Sequence, residues 1–274
     1  MIHITILIDN RLSAPALASE HGLSLHVETK THKILVDTGL SGRAFDNAEK
    51  LGVDIKSVDY LMLSHWHIDH TGGLRRFVEI NKTAKIIASR LVRDYQYCSN
   101  RGGKFHSLSP DVEVINQNIE RFVFIDDNYL IDNKIGCVFT RRQSFPRPNG
   151  NRYLFVEKGG GMSPYTADDE LALTIKTDEG LVVVSPCSHC GLLNIADECC
   201  KCMNCNDLTA FVGGLHLLNG EADDVANLAE LISNKYPKMH LYTSHCTGDE
   251  ACKILSDKML DKFHVFGVGE RIEV

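Results

Sequence analysis

Three imidazoles and a carboxylate crowd into six residues, His65-Trp66-His67-Ile68-Asp69-His70. Imidazole nitrogens and carboxylate oxygens are ligands for first-row metal ions, with zinc–nitrogen bonds of about 2.0–2.1 Å. His65 and His67 are two residues apart, so an extended segment projects both to one side. A turn after them can present Asp69 and His70 to a second ion, and two ions ~3.5–4 Å apart form a common catalytic arrangement. The alternative is a set of ordinary core or surface histidines. Three buried imidazoles would then each need hydrogen-bond partners, so the metal reading is preferred.

The elements that position this loop are legible as periodicities. Residues 1–9 read as a strand. Residues 23–37 read as a hairpin turning at 30–31 and running into Asp37-Thr38-Gly39. Ser41 can cap a helix with Phe45, Ala48 and Leu51 inward, stopped by Gly52. Residues 59–64 read as a buried strand that delivers His65, and Thr71-Gly72-Gly73 opens a helix. A further strand is expected at 84–88. Later come two strands turning at 178–180, a helix with Val225, Leu228, Ala229 and Ile232 on one stripe, and a strand delivering His245. Thr247 and Glu250 have the spacing of a capping box. The closing FHVFGVGERIEV reads as a hairpin or paired strands. A strand-then-helix pattern recurs in both halves, as expected for two similar halves packed sheet on sheet.

Composition sets the class. The chain has 274 residues, 43% of them hydrophobic, which suits one large buried core. Net charge is −7, whereas a nucleic-acid binder usually shows a basic face, so that class is disfavoured. No apolar run reaches the ~18 residues of a membrane span. The N-terminus lacks a basic segment and reads as a strand rather than a signal peptide. The ten cysteines are therefore read as reduced thiols or metal ligands in a cytoplasmic protein. Residues 90–158 carry eleven Lys/Arg against eight Asp/Glu, a local net +3. An insertion at about 90–165 is expected to cover the site and favour an anionic substrate; a solvated surface is the bland alternative.

The motif His65-x-His67-x-Asp69-His70, followed by Thr71-Gly72-Gly73 and preceded by Asp37-Thr38-Gly39, resembles the signature of the metallo-β-lactamase superfamily. Four more segments occur in order: Ser185-Pro186-Cys187-Ser188-His189, Gly213-Gly214-Leu215-His216-Leu217, Ser244-His245-Cys246-Thr247-Gly248 and Gly267-Val268-Gly269-Glu270. Together they resemble the dihydropteroate-synthase-like branch, which includes 7,8-dihydropterin-6-ylmethyl-4-(β-D-ribofuranosyl)aminobenzene 5′-phosphate synthase-like proteins. The resemblance implies a single α/β domain over 1–274, an αββα sandwich of two mixed sheets flanked by helices. It implies a hydrolase-type metal enzyme acting on a small anionic or pterin-like substrate. The branch alternative is a transferase of a dihydropterin diphosphate.

By position, the resemblance assigns His65 and His67 to a first ion and Asp69, His70 and His245 to a second. The ions are two divalent metals, zinc by preference, with iron or manganese as alternatives. The superfamily's bridging Asp is replaced by Cys187, which leaves open whether that thiolate ligates. No histidine precedes its strand closely, so His189 is the candidate replacement ligand. Asp168, Asp169 and Glu170 are read as ligand, supporting group or helix start. Asp37 is expected to orient a ligand imidazole or to steady the His loop, and an Asx-type turn before Gly39 is compatible with either. Asp69 is also assigned a catalytic role, orienting the nucleophile. His216 is expected to contact substrate or transfer a proton, with a packed histidine as the alternative.

Cys199, Cys200, Cys202 and Cys205 have spacings compatible with an extra zinc or an iron–sulfur cluster. On a helix they do not all face one way, so buried structural thiols are preferred. Cys187-x-x-Cys190 has redox-pair spacing but overlaps His189, and a thioredoxin-type role is discounted. Two rivals from other classes remain. A di-iron redox protein is disfavoured by His67, where such relatives carry Glu. A binding module with structural metal is disfavoured by the open ligand set.

Overall fold

The computed structural model describes residues 1–274. The chain folds into two compact units. One comprises Met1–Asp126, Leu154–Pro164 and Phe266–Val274; the other comprises Asp127–Tyr153 and Tyr165–Val265.

The first unit is built on a seven-stranded sheet. Its order is Arg271–Glu273, His3–Ile8, Ser24–Glu28, Lys33–Val36, Tyr60–Met62, Lys85–Ser89 and Phe122–Ile125. The first four strands pair antiparallel and the last four parallel. Ile4, Ile6, Leu25, Val27, Leu35 and Leu61 are wholly buried. The helix Arg43–Leu51 packs on the strand His3–Ile8 and buries Phe45 and Ala48, and Gly52 ends it at φ 72°. That left-handed cap costs glycine no Cβ clash. The other end differs from expectation: the helix starts after Gly42, and the Ser41 hydroxyl donates to Glu20 at 2.6 Å.

The second unit holds another seven-stranded mixed sheet. Its order is Phe263–Val265, His240–Thr243, Leu208–Val212, Leu181–Val184, Leu171–Lys176, Ile135–Phe139 and Tyr129–Leu130. The first four run parallel. Leu181–Val184 is buried along its whole length, which is why it reads as an unbroken apolar run. Helices Leu192–Met203, Ala222–Lys235 and Asp249–Met259 belong to this unit, and the first of them lies on the sheet. The α/β architecture of two mixed sheets with helices is the one expected. No helix is long and apolar enough to cross a membrane.

Two local expectations change, and the segment read as an insertion is divided among sheets. Segment 90–165 is shared among three sheets. Phe122–Ile125 closes the first, and Tyr129–Leu130 and Ile135–Phe139 enter the second. Gln96–Arg101, Lys104–Ser107, Leu154–Lys158 and Gly161–Pro164 form a separate four-stranded sheet. The closing sequence makes no hairpin: Phe263–Val265 pairs with His240–Thr243, while Arg271–Glu273 pairs with His3–Ile8. The Thr247–Glu250 capping box does not form. Thr247 Oγ1 instead accepts from Leu215 N–H at 3.0 Å and lies 2.6 Å from Thr243 Oγ1.

Candidate metal centre

In each unit the candidate residues sit where parallel strands end. In the first unit Lys33–Val36 runs into Asp37, and Tyr60–Met62 runs through Leu63 and Ser64 into His65. Because these neighbours are parallel, both loops leave the same sheet edge. Asp37 is fully buried and takes φ 60°. Its Oδ1 accepts from Ser64 N–H at 2.7 Å; its Oδ2 accepts from Ser64 Oγ–H at 2.6 Å and lies 2.7 Å from His70 Nδ1. Asp37 therefore fixes the His70 ring through Nδ1, the supporting arrangement common behind a metal-binding imidazole.

The His loop itself is dense. His65 Nε2 lies 3.1 Å from His67 Nδ1, and the His65 ring is 4.6 Å from that of His67 and 4.3 Å from that of His70. All three are buried. Asp69 Oδ2 sits 3.4 Å from His70 Nε2 and 3.4 Å from His21 Nε2, a neighbour the sequence did not signal. The short helix Ile68–Thr71 follows, and Thr38 N–H and Oγ–H both donate to the His70 carbonyl oxygen. Gly72 is dictated by crowding: a Cβ there would meet the Leu40 carbonyl oxygen at 2.0 Å. Tyr97, from the four-stranded sheet, sets its ring 5.8 Å from that of His67.

Electrostatics follow burial. Burial drives His67 down to about 4. Burial also opposes charge on His70, but the Asp69 and Asp37 carboxylates outweigh it and push His70 up to about 10.

In the second unit three parallel strands end side by side. Leu181–Val184 leads to Cys187-Ser188-His189-Cys190, Leu208–Val212 to Gly213-Gly214-Leu215-His216, and His240–Thr243 to His245-Cys246. Donor atoms of Cys187, His245 and Cys246 lie within 4.8 Å of one another, and the Cys187 and Cys246 sulfurs are 3.5 Å apart. The sulfur beside Cys187 is thus Cys246, while Cys190 is turned to the Ala167 carbonyl. Ser188, His216 and His245 all take positive φ, between 51° and 54°. Such strain persists only where surrounding structure enforces it.

Glu170 enforces it for the His189 loop. Its Oε1 accepts from His189 N–H at 2.6 Å and its Oε2 from Cys190 N–H at 2.8 Å. Burial raises this carboxyl to about 7 against the pull of those two donors. Both oxygens are committed to backbone, so Glu170 is a loop anchor. Asp169 accepts from Tyr165 Oη–H at 2.9 Å. The His189 ring packs 4.4 Å from that of His216, and its Nδ1 lies 3.0 Å from Asn151 Oδ1. Asn151, Asn194 and the closeness of Cys246 to Cys187 leave no mark in the sequence, because single amides and a lone thiol have no spacing signature.

The cysteine run does not assemble. Cys199 and Cys200 are buried on the helix Leu192–Met203, while Cys202 and Cys205 are half-buried. Cys200 lies near Tyr236 and Cys205 near Asp207, so the side chains diverge and the structural-thiol reading is favoured.

Residues 20–149 match the metallo-β-lactamase superfamily. The chain is 27% identical over 272 residues to 7,8-dihydropterin-6-methyl-4-(β-D-ribofuranosyl)-aminobenzene-5′-phosphate synthase of Methanocaldococcus jannaschii, covering 93% of this chain and 90% of that protein. The solved structure of Tm1679, a metal-dependent hydrolase of the β-lactamase superfamily, matches with a TM-score of 0.85 at 29% identity, covering 100% of this chain and 99% of that one. The chain thus carries a metallo-β-lactamase superfamily domain and is an enzyme of that fold.

Proposed function

We propose that the protein is a metal-dependent, hydrolase-type enzyme acting on a small anionic substrate and using two divalent ions, with His65, His67, Asp69 and His70 as metal ligands in the first unit and His189 and His245 as metal ligands in the second. The observation that carries this reading is the buried histidine cluster. The rings of His67 and His70 lie 4.6 and 4.3 Å from that of His65, and Asp37 orients His70. Nitrogen, carboxylate and, at Cys187, sulfur donors suit zinc, with ferrous iron and manganese as alternatives. Such ions supply Lewis acidity that lowers the pKa of water toward ~7. Asp69 holds and orients the attacking oxygen. His216, beside His189, contacts substrate or carries a proton to the leaving group. Asp37 and Glu170 keep the two ligand-bearing loops rigid.

A second reading, a transferase of a dihydropterin diphosphate, draws support from the name of the archaeal relative and the match along most of both chains. The same residues would then steady a diphosphate leaving group.

The test is elemental analysis of wild type and His67→Ala, purified without added metal, with turnover screened on phosphate and carboxylate esters and on pterin diphosphates. About two equivalents in wild type, falling sharply in the variant, is the expected result. Metal content and activity untouched by the substitution would overturn it.

A further inference from the structure

The second unit carries a strap that the metal chemistry leaves unused. Between Asp132 and Glu157 the sequence holds no acidic residue, yet it holds Lys134, Arg141, Arg142, Arg147 and Arg152. The part around Arg147 is pinned at both ends. Asn194 Oδ1 accepts from Ser144 and Phe145 N–H, each at 2.9 Å. Its Nδ2 donates to the Phe145 carbonyl at 2.9 Å and to the Cys190 carbonyl at 2.8 Å. At the other end Asn151 Nδ2 donates to the His189 carbonyl at 2.7 Å. Gly150 lies so close to His216 that a Cβ would meet its Nδ1 at 2.8 Å.

Between these pins Arg147 stands between Pro146 and Pro148. Proline fixes its own φ and holds the residue before it extended. Little backbone freedom at Arg147 remains to be lost on binding. The tripeptide lies against the loop that carries His189, since a Cβ on Gly191 would meet the Pro146 carbonyl oxygen at 3.2 Å. Arg147 is half-buried, and its Nε is buried without a hydrogen-bond partner. Its charge acts on the Cys190 thiol, and no carboxylate forms an ion pair with it. A buried donor without an acceptor costs stability. A guanidinium fork matches the oxygens of a phosphate, which it can bind bidentately.

We propose that Arg147 is a substrate-recognition residue that binds a phosphate group carried by a small-molecule substrate. The strap is its rigid mount, and Arg141, Arg142 and Arg152 add positive charge along the same segment. The proposal rests on the anionic-substrate part of the proposed function.

The experiment titrates inorganic phosphate calorimetrically into metal-loaded wild type, Arg147→Ala, Arg147→Gln and His67→Ala, with metal content and thermal unfolding measured on each. Both Arg147 variants should weaken phosphate binding roughly 10- to 100-fold, with metal content unchanged. Arg147→Gln, closer in shape, keeps the test informative if the alanine variant folds poorly. Wild-type affinity in Arg147→Gln, or no phosphate binding to wild type at millimolar concentration, would overturn the proposal. Binding lost in His67→Ala but intact in Arg147→Gln would overturn it too, while leaving the metal-centre reading in place. Binding that survives in His67→Ala and is lost in Arg147→Gln would support the arginine site even if the metal-centre reading failed.

Discussion

The His65–His70 loop and the Cys187–Cys190 loop solve one problem in two ways. Each follows a strand, and each is held by a buried carboxylate from a neighbouring segment. Asp37 gives its oxygens to a side-chain hydroxyl, a backbone N–H and an imidazole. Glu170 gives both of its oxygens to backbone N–H groups. One carboxylate therefore orients a ring, and the other shapes a turn. Removing the first should disturb a donor's chemistry, and removing the second should disturb a donor's position.

Asp37→Ala is the harshest way to break this contrast. It leaves the Ser64 donors and His70 buried without their acceptor, and a loss of about 3–5 kcal/mol of stability is expected. Urea unfolding measures that loss, and elemental analysis should show metal content falling with it.

A control comes from His26, a buried histidine that no carboxylate hydrogen-bonds. Its Nε2 has no hydrogen-bond partner, and burial lowers it to about 4, with Glu28 raising it and Lys33 and Arg271 lowering it further. The folded state thus binds this proton less readily than the unfolded state. Stability should fall as pH drops from about 6.5 to about 4, by about 3 kcal/mol in total. Replacing it, as His26→Leu, should flatten that part of the stability–pH curve; an unchanged slope would show that His26 is protonated in the folded protein.

Glu170→Gln sets a donor where Glu170 had an acceptor, against a fixed N–H. A loss of about 1–3 kcal/mol, read by urea unfolding, is expected. If Glu170 only shapes the turn, metal content should fall less than in Asp37→Ala, and a larger fall would erase the contrast. The smallest effect is expected at the half-buried thiols. Cys202→Ser with Cys205→Ser should leave metal content unchanged and stability within about 0.5 kcal/mol.

Much of this was legible in the sequence, for reasons that differ by residue. The His loop could be read because its donors lie within six residues, and Asp37 because its Asp-Thr-Gly setting is distinctive. Glu170 could not be resolved, since Asp168-Asp169-Glu170 also suits a helix start and only the fold shows both oxygens occupied. Arg147 was hidden within a diffuse basic stretch. The strand Leu181–Val184 and the hairpin through Asp178 were evident from apolar patterning. The split of the last strands was not, because local alternation of apolar residues does not say which sheet a strand will join.

That split has a consequence for synthesis. The strand His3–Ile8 is made long before one of its two neighbours, Arg271–Glu273. During translation the first sheet therefore carries an open edge along His3–Ile8, with unpaired N–H and C=O groups. Until the later strand emerges, that edge is where a nascent chain is most prone to pair with another. Chaperone occupancy on newly made chains should consequently persist until residues 271–273 are free to pair with His3–Ile8.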